Sequence, residues 1–330
     1  MDHSKTKIGI LILFIVGVCF SCSRNKHPER DITERFEKLV FSTLPNNLSD
    51  SIHLNHRDLV PFFKIFNEEV IRIGPDTLPG YASQLDAYTR DSLIRQVFAE
   101  VSKSEEILNI KLSETVQALD RWSEISETRQ TGHVVTYISG FNQSFITLPD
   151  VLGIGVDNYM GSGSRFYQGL GIPAYIRQYM NPENLPADAV RAWLYSELAG
   201  PDPESGFLER MIYEGKVYYI VSKLLPEIST ENLFHYSGKQ LKWCLEQEKP
   251  MWRYLAEQKV LFSSERLTIR KFIEEAPFTR DFGNESPGRV GTWIGYRIVS
   301  SYMKSSGLNI KDLIGATNAK QILSASKYHP

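Results

Sequence analysis

"MIYEGKVYYIVSKLLP", residues 211–226, is the stretch whose reading decides the fold. Leu208, Met211, Ile212, Gly215, Tyr219 and Ser222 recur at helical spacing. The segment therefore reads as a helix with a bare residue in the middle of its packed face. Glycine there costs about 1 kcal/mol relative to alanine. The offsetting gain is close approach of a second backbone at Gly215. Upstream stands "NLPADAVRAWLYSELAGPD", residues 184–202, a second helix with Pro186 in its first turn. Val190, Trp193, Leu194 and Leu198 mark its apolar stripe, Glu197 falls on the same stripe, and Gly200–Pro201 stops it. A carboxylate aimed at a core must be paired, protonated or bound to something.

The pair of helices has the spacing of a zinc-peptidase site without its imidazoles. In H-E-x-x-H, two histidines face one metal and the glutamate between them polarises a water. Here Ser196 holds the first histidine position, Glu197 the glutamate and Gly200 the second histidine. Glu214, followed by Gly215, fits the slot of a third ligand on the next helix. Serine is a poor zinc ligand and glycine offers no side chain, so these positions carry no zinc and the expectation is no cofactor. Two carboxylates alone would suit Mg²⁺ or Ca²⁺ better. Three readings of Glu197 and Glu214 follow: an internal hydrogen-bond network, a residual metal site, or an active site made of carboxylates only.

Outward from the pair, the chain is mostly helical. "ERFEKLVFST", "DLVPFFKIFNEEVIRIG" and the long charged stretch from Leu85 to Ile125 all carry helical periodicity, the last as two helices. The character changes at "HVVTYISGF" and "SFITLPDVLGIGVDNYM", rich in β-branched and aromatic residues, with a turn near Gly140–Asn142. "RVGTWIGYRIVSSYMKS", from Arg289, is helical again. The expected fold is α+β, mainly α-helical, with a small β-sheet from about residue 132 to 157 beside the helix pair, in a zincin-like arrangement. One domain is expected over residues 32–330.

The N-terminus is a separate matter. "MDHSKTKIGILILFIVGVCFSC" places Lys5 and Lys7 before an apolar run, then Ser21–Cys22. The run is shorter than the ~20 apolar residues of a membrane span. It reads as a lipoprotein signal over residues 1–21, with Cys22 acylated and residues 22–31 as a tether; an ordinary cleaved signal or a membrane anchor is the alternative. Cys244 then has no internal disulfide partner and reads as a buried structural thiol. With 37 basic and 39 acidic residues there is no basic field to gather nucleic acid. The seven histidines are scattered; only His53 and His56 are close, as a surface pair or a metal clip, and His133 starts a strand from which it could reach Glu197. "GSGSRF", residues 161–166, lacks the lysine and context of a phosphate loop. Tyr159, Phe166, Tyr167, Tyr175, Trp293 and Tyr296 line a cleft or belong to the core.

Residues 152–198, 211–226, 240–264 and 275–304, with the terminal "NAKQILSASKYHP", resemble the gliding-motility lipoprotein GldB family of Bacteroidetes. That resemblance implies a lipid-anchored, periplasm-facing cell-envelope protein linked to the machinery that moves or secretes surface proteins. Its partners would be the membrane, through the lipid, and envelope proteins. Wider relatives include predicted zinc peptidases with an intact H-E-x-x-H, from which this chain departs at Ser196 and Gly200. The functional expectation is a non-catalytic protein that uses a degenerate cleft to bind protein. The alternative is an active hydrolase on peptide or peptidoglycan using Glu197 and Glu214.

Overall fold

The computed structural model describes residues 33–127 and 132–330. The signal segment, the tether and Cys22 lie outside the described residues. Strand β1 (Thr33–Arg35) runs directly into α1 (Phe36–Ser42), followed by α2 (Pro45–Asn55), α3 (Val60–Ile65) and a π-helical turn, Phe66–Val70. Three more helices follow: α4 (Tyr81–Arg90), α5 (Ser92–Lys103) and α6 (Glu105–Ser126). The sequence reading made two helices of this charged stretch. The extra break falls at Asp91, whose side chain accepts from Ile94 N and starts α5 without glycine or proline.

The sheet is completed by β2 (His133–Tyr137), β3 (Phe145–Leu148) and β4 (Val151–Gly155). Its order is β1-β2-β4-β3, with β1, β2 and β4 parallel and β3 antiparallel to β4. Both faces are buried, as a mostly parallel sheet requires. Val135, Tyr137, Ile146 and Val151 face a cluster built on Phe36, Phe62, Phe63 and Phe66. Gly153 lets the Phe62 ring lie on β4, since a Cβ there would stand 2.7 Å from the ring. Val134, Leu152 and Ile154 face the larger core, made with the C-terminal helices.

Those helices are α7 (Arg165–Gly169), α8 (Ala174–Arg177), α9 (Leu185–Glu197), α10 (Phe207–Leu224), α11 (Thr230–Phe234), α12 (Gly238–Glu257), α13 (Arg266–Ile273), α14 (Val290–Ser306), α15 (Ile310–Gly315) and α16 (Ala319–Ser326). The most extensive packing joins α10 to α14. Gly215 is the reason: a Cβ on it would stand 2.7 Å from Tyr296 N and closer still to the Gly295 carbonyl. Gly295 is its counterpart, against the Met211 backbone. The two backbones touch, as the bare position on α10 implies. Among the described residues, four strands with mainly helical segments make the fold α+β. The expected span held three of them; β1 joins from the N-terminal side.

Candidate functional site

Proximity of side chains, rather than spacing in the sequence, selects the regions with chemistry. The first surrounds Asp188 on α9. Its carboxylate is buried and takes hydrogen bonds from Tyr159 Oη at 3.0 Å and from Arg191, one turn along the same helix. His235 Nε2 lies 2.8 Å from Asp188 Oδ1. Burial pushes the Asp188 carboxyl up; His235 and Arg191 more than reverse this and hold it below its ordinary value. Burial pushes the His235 imidazole down, against the pull of Asp188, and it remains below its ordinary value. The Arg191 guanidinium also lies 4.8 Å from the centre of the Tyr218 ring, and that tyrosine's hydroxyl accepts from Arg289 Nη1 at 2.8 Å. His235 closes α11 at φ 56°, a left-handed conformation uncommon for a residue with a Cβ. Its ring stacks on Tyr179 at 4.7 Å. A small cavity of about 220 Å³ opens beside the His235 and Tyr179 rings.

The second region is a groove of about 690 Å³ between the loop after α9, α10 and α13. Glu214 and Tyr213 line it with Arg210, Arg266, Arg270 and Glu274. Glu214 Oε2 accepts from Tyr195 Oη at 2.6 Å. Burial pushes its carboxyl up, the Tyr195 hydroxyl with Arg191 and Arg289 pulls it down, and it remains above its ordinary value.

The third region lies beyond the carboxyl ends of β2 and β4, where open parallel sheets hold ligands. Asp157 fills it. Ser139 N–H donates at 3.0 Å to one carboxylate oxygen and Phe141 N–H at 2.7 Å to the other, with the Ser139 hydroxyl bridging both. Asp157 is fully buried, which raises its carboxyl to about 6 against those hydrogen bonds. This is an internal clasp between strand ends.

The gliding motility protein GldB family matches residues 25–330. The chain belongs to that family. Membership implies a gliding-motility-associated lipoprotein role and a cell-envelope location. Among the described residues no helix is long and apolar enough to cross a membrane. No curated protein and no solved structure matches the chain.

In this GldB-family chain the four positions of the peptidase-like spacing do not converge. Helix α9 ends at Glu197, and Leu198 is already extended at φ −90°, ψ 132°. Ser196 and Glu197 are exposed, with Ser196 Oγ donating to Trp193 O at 2.7 Å, and Gly200 lies in the loop beyond. The expectation that Glu197 points at the core is therefore corrected: the stripe it continues ends with the helix. Glu214 alone of the four lines the groove. Among the described residues no three His, Cys, Asp or Glu side chains are grouped to hold a metal ion.

The histidines resolve individually. His133 opens β2 with its Nε2 3.8 Å from Asp58, and His53 Nε2 lies 2.9 Å from Asp76. Cys244 is a buried free thiol, its ionisation suppressed by burial. Tyr159, Phe166, Tyr167 and Trp293 are core residues. The Asp188, Arg191, His235 and Arg289 cluster was not anticipated. The available signal was Asp188–Arg191 at i, i+3, a charged pair in a helix whose other residues from Leu185 to Tyr195 are apolar or aromatic.

Proposed function

We propose that this chain is a non-catalytic, periplasm-facing lipoprotein, acylated at Cys22, that holds a segment of an envelope protein partner in the groove beside Glu214. Ser196, Glu197, Gly200 and Glu214 are, on this reading, remnants of a peptidase-like ancestor. The single observation that carries the proposal is the state of the two carboxylates. Glu197 is solvent-exposed at a helix end, and Glu214 already accepts the Tyr195 hydroxyl, so no pair remains to activate a water. The groove alternates guanidinium and carboxylate groups, Arg266, Arg270 and Arg210 against Glu274 and Glu214, which suits a polar protein segment more than a lipid tail.

The test uses a deletion strain. Labelling with palmitate is expected for the full chain and lost in Cys22→Ser, which leaves the membrane fraction. Glu197→Gln and Glu214→Gln are expected to restore surface spreading. A photo-crosslinker at Tyr213 is expected to capture an envelope protein, and capture should disappear with Arg266→Glu/Arg270→Glu. Loss of spreading in Glu214→Gln at normal protein level would instead favour a second reading, a hydrolase on peptide or peptidoglycan. The elevated Glu214 carboxyl is the one observation that favours it, because a general acid needs such a shift.

A further inference from the structure

The groove beside Glu214 carries an inference about the chemistry of its occupant, which rests on the reading of that groove as a protein-binding site. Among the described residues, Arg210, Arg266 and Arg270 line it against Glu204, Glu214 and Glu274. By formal charge the two sets cancel; by what each group already touches they do not. Arg270 Nε donates to Glu274 Oε2 at 2.8 Å, one turn along α13, and this pair neutralises itself. Glu214 already takes the Tyr195 hydroxyl, and burial raises its carboxyl, which weakens its hold as an anion. Glu204 stands exposed on the loop after α9, where water and salt screen it.

Arg210 and Arg266 are left over. Arg210 is half-buried, and its Nε donates to Ser205 O at 3.1 Å. Its Nη2 donates to Pro203 O at 2.7 Å and to Asp202 O at 3.4 Å. These acceptors are neutral carbonyls, so they fix the guanidinium without cancelling its charge. A group fixed in advance loses little rotamer freedom when a ligand arrives. Arg266 is exposed in the first turn of α13, and among the described residues it has no hydrogen bond and no ion pair. The two guanidiniums stand on different walls, Arg210 on α10 and Arg266 on α13. That arrangement favours several side-chain carboxylates over the single carboxylate of a chain end. Ile269 and Ile273, one turn apart on α13, and Tyr213 on α10 add an apolar lining.

We infer that the groove binds an acidic peptide segment, in which Asp or Glu side chains pair with Arg210 and Arg266 and an apolar residue rests on Ile269, Ile273 and Tyr213. A free guanidinium meets a carboxylate through two parallel N–H···O bonds, and Arg266 has its whole fork to offer. A basic segment would instead meet two guanidiniums that no carboxylate neutralises, and like-charge contact of that kind excludes wrong partners.

The test is fluorescence anisotropy on the full chain in non-ionic detergent with three dye-labelled peptides. These are a capped Glu-Leu-Asp repeat, a capped Lys-Leu-Lys repeat, and a Gln-Leu-Asn repeat with a free C-terminal carboxylate. The acidic peptide is expected to bind about tenfold or more tighter than the other two, and about tenfold more weakly to Arg266→Gln. Arg266→Glu should lose the acidic peptide and gain the lysine one, a reversal that a loss of folding does not produce. Four results would overturn the inference: no binding of the acidic peptide, equal binding of the lysine peptide, equal binding of the free-ended neutral peptide, or displacement of the acidic peptide by inorganic phosphate at matched concentration. Crosslinking at Tyr213 separates this inference from the wider reading. An envelope protein captured there and undiminished by excess acidic peptide would sink the acidic preference and leave the groove a protein site. Acidic-peptide binding with the Arg266→Glu reversal but no capture would support the acidic groove and count against the envelope partner.

Discussion

Replacing Gly215 by alanine tests the packing on which the C-terminal body depends. In an ordinary helix interior this change is favourable by about 1 kcal/mol, through propensity alone. Here the new methyl would stand 2.7 Å from Tyr296 N and closer to the Gly295 carbonyl, all backbone atoms that no rotamer change can move. Relief requires α10 and α14 to separate by about 1 Å, and gaps of that size forfeit a quarter to a half of each dispersion contact along the seam. Overpacking of this kind costs about 1–3 kcal/mol, and the seam loss adds to it. The expected net destabilisation is about 3–4 kcal/mol, a large share of the about 5–15 kcal/mol that holds a typical domain. Gly295→Ala should be at least as severe, because its Cβ would stand 2.8 Å from the Met211 carbonyl carbon and nearer still to the oxygen. The double variant should fall well short of additive, since one separation accommodates both methyls. Urea unfolding followed by tryptophan fluorescence reads the seam directly, as Trp293 sits on α14. Gly238→Ala is the control: nothing lies within 4 Å of a Cβ there, and stability should hold or rise slightly. A Gly215→Ala protein within about 0.5 kcal/mol of wild type, the range of an unremarkable surface change, would refute the account of the seam.

Asp157 predicts a pH dependence. Its carboxyl is raised from 3.8 to about 6 by burial, so its contribution to stability is full below pH 3.8, declines as the pH rises to about 6 and is lost above. That displacement is worth about 3 kcal/mol, and Asp157→Asn should flatten the matching slope in urea unfolding measured from pH 4 to 7; an unchanged slope would contradict it. Asp188→Asn leaves the Arg191 guanidinium buried without its counter-charge and should cost about 3–5 kcal/mol, read as a lowered thermal midpoint. Tyr328→Phe removes the hydroxyl that donates to Glu248 Oε1 at 2.8 Å, a buried carboxylate also held by Arg297 at 3.0 Å, and should cost about 1–3 kcal/mol by the same measurement.

What could be read from the sequence divides along a physical line. Helices α9, α10 and α14 carry their own periodicity, and Gly215 announces its close neighbour because a glycine amid apolar residues needs a reason. Strands β2 and β4 are apolar on both faces, so they stand out in a charged chain. Strand β1 does not: Thr33–Arg35 is three half-buried residues before a helix, and only its pairing with Val134–Thr136, far along the chain, makes it a strand. The site around Asp188 was hidden for the same reason. His235 reaches Asp188 because α11 ends in a left-handed residue, and Arg289 reaches Tyr218 from another such residue before α14. Neither local conformation leaves a mark in composition, since both residues have side chains where glycine is the usual signal.

The end of α9 bears directly on the peptidase-like spacing. H-E-x-x-H works because positions one turn apart share a face of a continuous helix, so two rings converge on one ion. In this chain the helix stops at the glutamate itself, and the residue before Pro201 belongs to a segment that proline biases away from helix. Gly200 is therefore not one turn above Ser196, and the spacing survives as sequence without the geometry that gave it meaning. Imidazoles placed at both positions would sit on a helix end and on a loop. Glu214 is the one of the four positions whose surroundings are built: it lines a groove, its carboxyl elevated by burial and anchored by Tyr195. A catalytic reading of this region has to run through that residue and find its second group among the arginines around it, whereas a binding role needs only the groove's shape and charge.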